Sequence, residues 1–190
     1  MRPTREQLES FRNHEVPDLL PEPLRLLVVG INPSPWTAAT GAHFARPGNR
    51  YYPALARAGI ISHPFDASEG YRDEDLAELH RLGIGNTNLV ARATVRADEL
   101  TRQELRQGAR RLERVVAECG PAVVAVLGVT AYRQAFSRPK AVLGEQPEQL
   151  AGARLFVLPN PSGLNAHETI DSLARAYAEA ATAAGIPTTN

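Results

Sequence analysis

Short apolar runs alternate along this chain with longer stretches of amphipathic period. LRLLVVG (Leu24 to Gly30) is apolar, contains two valines and stops at a glycine. That pattern predicts a strand buried on both faces. GIGNTNLV (Gly83 to Val90), AVVAVLG (Ala122 to Gly128) and RLFVLPNPSGLN (Arg154 to Asn165) predict three more strands, the first and last of these running into loops. Between the strands the period lengthens. Arg50 to Ala58 predicts a helix closed by Gly59, and Asp73 to Leu82 a second, with acids in its first turn and Gly83 at its end. Thr101 and Glu104 form a capping box for a long helix reaching Glu118, with Leu105, Leu112, Val115 and Val116 as its apolar stripe. Thr130 to Phe136 predicts a short helix. Asn165 with Glu168 predicts the cap of a final one, whose face carries Ile170, Leu173, Ala174 and Tyr177.

Apolar strands alternating with amphipathic helices predict an α/β chain: three layers, α/β/α, around a central, mostly parallel, four-stranded sheet. Residues 1–23 contain Pro3, Pro17, Pro21 and Pro23 and read as an irregular arm with a short helix before Pro17. Residues 24–186 then form one domain, as 190 residues with 43% hydrophobic content allow. Ligands of such folds bind at the carboxyl ends of the strands. Three Asn/Gly/Pro-rich loops follow strands there: GINPSP, GNTNLV and LPNPSGLN.

Composition removes several chemistries. Lys plus Arg (21) equals Asp plus Glu (21), so the net charge points to no partner by itself. Lys140 is the only lysine, and Cys119 the only cysteine, which excludes an intrachain disulfide and a multi-cysteine zinc site. The five histidines have no metal-like spacing and read as surface or capping residues. MRPTREQLES lacks the apolar stretch of a signal peptide, and no run is long enough to span a membrane. A cytoplasmic protein is expected. Neither GxGxxG nor GxxxxGK[ST] follows a strand, which argues against dinucleotide and P-loop chemistry. No G-x-S-x-G elbow occurs.

What remains is a pair of Asn-Pro loops facing one crevice, Asn32 in the first. Taken alone, each is a turn as readily as a site. Gly163 permits close backbone approach, and Leu164 beside it projects from a loop tip as an apolar wedge would. With GINPSP (30–35), TGAHFARPGNRYY (40–52), TNLV (87–90) and LPNPSGLN (158–165) in this order, the chain resembles the mismatch-specific uracil/thymine DNA glycosylase family of the uracil-DNA glycosylase superfamily. The resemblance covers nearly all of residues 24–180.

It implies a uracil-DNA-glycosylase-like fold and a monofunctional enzyme that removes uracil or a related pyrimidine lesion from mismatched duplex DNA. No cofactor, no metal and a monomer acting in the cytoplasm beside the nucleoid are expected. Asn32 matches the residue that holds the attacking water, and Phe44 the ring that stacks on the extruded base. The amides around Ile31 and Phe44, and the side chain of Asn88, would read the base edge. Gly163 and Leu164 match the loop that enters the duplex. Arg46, Arg50 and Ser162, with Arg92 and Arg96 nearby, are the expected phosphate contacts. Arg102, Arg106, Arg110, Arg111 and Arg114 sit beside acids and read as a solvated face.

Ser34 replaces the family's usual glycine, followed by Pro35 and Trp36; Trp36 fits either the core or a pocket wall. Thr37 is expected near the pyrimidine C5 edge. Asn165, Ala166 and His167 stand where the family often has an arginine after the wedge. The alternatives are a superfamily member acting on deaminated purines, a damage-binding module without catalysis, and an α/β nucleotide-binding protein.

Overall fold

A computed structural model describes residues 2–189. In chain order its elements are α1 (Arg5–Ser10), β1 (Leu26–Gly30), α2 (Pro35–Thr40), α3 (Tyr51–Arg57), α4 (Asp73–Leu82), β2 (Ile84–Asn88), α5 (Arg102–Cys119), β3 (Val123–Leu127), α6 (Val129–Ala135), β4 (Gly144–Leu150), β5 (Ala153–Leu158) and α7 (Ile170–Ala183). The sheet order is β2-β1-β3-β5-β4. The first four strands in that order are parallel; β4 is antiparallel to β5.

The alternation of side chains along each parallel strand divides the core in two. Leu26, Val28, Val123, Ala125, Phe156 and Leu158 pack with α3, α4 and α7, through Tyr51, Leu55, Leu79, Leu173 and Tyr177. Leu27, Val29, Val124, Val126, Leu155 and Val157 pack with α5 and α6, through Leu105, Leu112, Val116 and Tyr132. This is the expected three-layer α/β/α arrangement.

The sheet has five strands rather than four. The added strand, β4, reads GEQPEQL, and among its residues only Gln146 and Leu150 are buried. It lies at the sheet edge, where Pro147 costs no ladder bond, and its register with β5 shifts between Glu145 and Gln149. A strand with so few buried positions leaves no apolar run to read.

Residues 2–23 are tied along the opposite edge. Leu19 and Asn86 exchange backbone hydrogen bonds of 2.9 and 2.8 Å, and Asn13 N donates to Ala93 O at 2.8 Å. Arg111 of α5 pairs with Asp18, whose other oxygen accepts from Thr87 Oγ1. Arg111 therefore belongs to this fastening rather than to a solvated face. The arm covers the exposed edge of β2. No helix of the described residues is long and apolar enough to cross a membrane.

Candidate active site

The chain leaves β1, β2, β3 and β5 at one end of the sheet, and there the loops enclose a cavity of about 150 Å³. Asn32, Phe44, Asn88 and Ser162 all line it, as does Ile31. The three Asn/Gly/Pro-rich loops thus converge as the sequence predicts.

Asn32 is held by one end of its amide. Nδ2 donates to Thr94 Oγ1 at 2.7 Å and to the carbonyls of Pro33 and Arg92 at 3.2 Å each. The Thr94 hydroxyl spends its single proton on Arg96 O at 2.7 Å, so toward Asn32 it can only accept. Three acceptors fix which end of the amide is NH2 and leave Oδ1 without a partner among the described residues. Thr94 is 4% exposed. Nothing in the sequence marks it, because it meets Asn32 only through the fold.

Asn88 is fixed by a similar chain of reasoning. His43 is buried, and its Nε2 lies 3.0 Å from Pro17 O, a group that can only accept. Burial lowers the His43 pKa, so the ring is neutral, with its proton on Nε2. Nδ1 is then a bare acceptor for Asn88 Nδ2 at 3.4 Å. Asn88 Oδ1 is turned the other way. A Cβ on Gly30 would lie 2.5 Å from that oxygen and 3.4 Å from the Phe44 ring, so only glycine lets both side chains close over the end of β1. His43 is neither a surface nor a capping residue. Its place directly before Phe44 in the motif is the one sequence signal it has.

Phe44 adopts φ +57°, a left-handed conformation that strains a bulky residue and persists only where neighbours enforce it. Its ring lies 4.1 Å from that of Tyr51, with 37° between their planes. The Ile31 and Phe44 N–H groups donate to no backbone carbonyl among the described residues.

The loop after β5 overhangs the cavity. Its tip, Leu164, is 79% exposed. A Cβ on Gly163 would lie 2.7 Å from Gly48 O, so glycine is required where this loop meets the Phe44 loop. Beneath the tip, Arg50 Nη1 donates to Glu168 O at 2.5 Å, and Nη2 to Ser162 O and Asn165 O at 2.6 and 2.8 Å. Its Nε is buried without a partner. The Arg50 guanidinium, expected to contact phosphate, is here engaged with the loop's carbonyls. Arg92 is committed to Glu104 and Asn13, and Arg96 to Asp98. Arg46, exposed at the cavity rim, has no such partner among the described residues. The last helix starts at Thr169, which caps it with Ser172, and not at Asn165. The Asn165 amide instead braces the loop by donating to Asn160 O at 3.1 Å.

Thr37 lines the cavity, whereas Trp36 turns outward, packs at the margin of the core and donates Nε1 to Ser68 O at 2.9 Å. Elsewhere, His63, Glu74 and Asp75 stand close enough to share an ion, but Arg72 contacts all three and supplies the positive charge.

An α/β/α fold with this asparagine-lined cavity at the carboxyl ends of its strands defines the class of protein. The model of the uracil DNA glycosylase superfamily matches residues 17–181, and the chain belongs to that superfamily. The fold is similar to that of a Methanosarcina acetivorans protein solved by solution NMR and described as a candidate uracil DNA glycosylase. The TM-score is 0.60 at 17% identity, over 90% of this chain and 98% of that one. Membership supports hydrolysis of a glycosidic bond in DNA.

Proposed function

We propose that the protein is a monofunctional DNA glycosylase that hydrolyses the N-glycosidic bond of uracil in mismatched duplex DNA, as a monomer. Etheno-cytosine and related pyrimidine lesions are further substrates to test. The observation that carries this reading is the pinned amide of Asn32. With NH2 committed to three acceptors, Oδ1 is the atom left to accept a hydrogen bond from water and so aim the water's lone pair at the sugar. An amide does not ionise near neutrality, so Asn32 orients water and does not act as a base.

The base must leave the helix to reach a cavity at the strand ends, and extrusion is cheapest at a mismatch. Phe44 offers the stacking face and Leu164 the wedge. Asn88 Oδ1 accepts from the imide N–H of uracil, a group that cytosine lacks. As the bond breaks, charge gathers on the departing base. N–H donors at Ile31 and Phe44 stabilise it without reorganising. Among the described residues no lysine lines the cavity to form a Schiff base, and the product is an intact abasic site.

Hypoxanthine, a deaminated purine, carries a comparable lactam N–H at N1, and Asn88 Oδ1 favours it for the same reason. Excision from duplexes carrying uracil, thymine, etheno-cytosine or hypoxanthine opposite guanine separates the two readings. Uracil as the best substrate supports the first, and hypoxanthine as the best supports the second. Loss of discrimination against cytosine in Asn88→Ala is expected; unchanged discrimination removes the role given to Asn88.

A further inference from the structure

On the other helix layer a second concavity, of about 520 Å³, lies between α5 and α6. Arg102 and Arg106 line it from α5 and Arg133 from α6, with Thr130, Gln134 and Ser137 beside them; no carboxylate does. Arg102 and Arg106 are four residues apart, so both side chains leave the same face of α5. Of the acids nearby, Glu104 pairs with Arg92 and Glu148 with Arg138, while Glu113 lines the adjoining concavity with Arg106 and not this groove. Arg133 spends only Nε, on Ala141 O at 2.8 Å. Among the described residues, three guanidinium groups thus line one groove whose own lining holds no carboxylate. Their mutual repulsion is relieved when a polyanion lies between them.

The groove's position names the polyanion. α5 begins just after the loop that carries Thr94, Val95 and Ala97 to the base cavity, and Thr130 stands three residues beyond Leu127, which also lines it. The groove therefore opens at the same end of the sheet and runs away from the cavity beside α6. The seven residues of α6 span about 10 Å, roughly three nucleotide steps of one strand.

We propose that this groove holds the sugar–phosphate backbone of the DNA flanking the lesion, with Arg102, Arg106 and Arg133 as phosphate contacts. The proposal rests on the cavity being the DNA-facing end of the fold. It assigns the groove no part in base choice, because phosphate contacts carry no sequence information.

The test is the affinity for an abasic-site duplex across a salt series, for the wild type, Arg102→Gln, Arg106→Gln, Arg133→Gln and the triple variant. Each substitution is expected to weaken damaged and undamaged duplex alike and to flatten the log–log salt slope by about 0.9. Arg175→Gln on α7, in the opposite layer, controls for loss of charge alone. An unchanged slope in the triple variant, or an equal change in Arg175→Gln, overturns the proposal. Should Arg133→Gln unfold, the exposed pair Arg102 and Arg106 carries the same comparison. A protein that binds duplex with the full slope yet excises nothing rejects the glycosylase reading, while the slopes still decide the groove.

Discussion

Asn32 and Leu164 stand at two ends of one site and are held in opposite ways. Asn32 sits in the cavity with its amide nitrogen tied to three acceptors. Leu164 is 79% exposed, and the loop beneath it is fastened by Arg50. On the proposed reading, in which Asn32 places a water and Leu164 enters the duplex, the difference follows from what each must meet. A group that places one water gains from being fixed before substrate arrives. A wedge must stay bare until a duplex covers it, and burial there then recovers about 2 kcal/mol. Rigidity is built into the cavity wall at Asn32 and into the base of the loop, but not into its tip.

Breaking the fixed end should cost most. Asn32→Ala is expected to lower the single-turnover excision rate by about 10²–10³-fold while affinity for abasic duplex holds. A rate that stays within a small factor would remove Asn32 from the chemistry. Releasing the loop comes next. Arg50→Gln exchanges charged hydrogen bonds, worth about 1.5–3 kcal/mol each, for weaker ones. Excision from duplex should fall by about 10–100-fold and from single strands much less. Equal loss on both would mean that Arg50 supports the fold in general rather than the loop. Leu164→Ala should have a smaller effect of the same kind, about tenfold on duplex. If Arg50 acts through Leu164, the double variant is less impaired than the two single losses predict together.

Thr94→Val tests whether Asn32 is held or merely present. Without the hydroxyl acceptor the amide can turn over, and the excision rate should drop about tenfold with binding unchanged. Thr94→Ser should restore it, and failure to do so would assign the loss to packing. The smallest effect is expected outside the site. Arg92 and the Thr101 N–H hold the Glu104 carboxyl down to about 2. A depressed acid stabilises the fold above its unfolded value and loses that contribution as pH falls from about 4.5 toward 2. Glu104→Gln should lower the melting temperature slightly at neutral pH, by about 1 kcal/mol of stability. The gap from wild type should close in acid; a gap independent of pH would assign the loss to the helix cap.

The parallel strands and long helices were legible because burial on both sheet faces writes continuous apolar runs, and capping boxes such as Thr101 with Glu104 write helix starts. β4 was not legible, since an edge strand buries too little to need a pattern. Asn32, Phe44 and Asn88 were placed through the family resemblance that their motifs carry; taken alone, the Asn-Pro loops read as turns as readily as a site. The bonds of Arg50 to its loop were not legible because a guanidinium suits a phosphate and a row of carbonyls equally well. Thr94 and His43 escaped notice for a related reason: each matters through a residue distant in the chain, Thr94 through Asn32 and His43 through Asn88.

The most direct measurement is cleavage of an end-labelled duplex carrying a single G·U pair, under excess enzyme and low salt, with and without hot alkali. The account predicts strand breaks only after alkali, from the wild type and not from Asn32→Ala. Breaks that appear without alkali, or that persist in Asn32→Ala, would contradict a hydrolysis that leaves an abasic site and depends on water placed by Asn32.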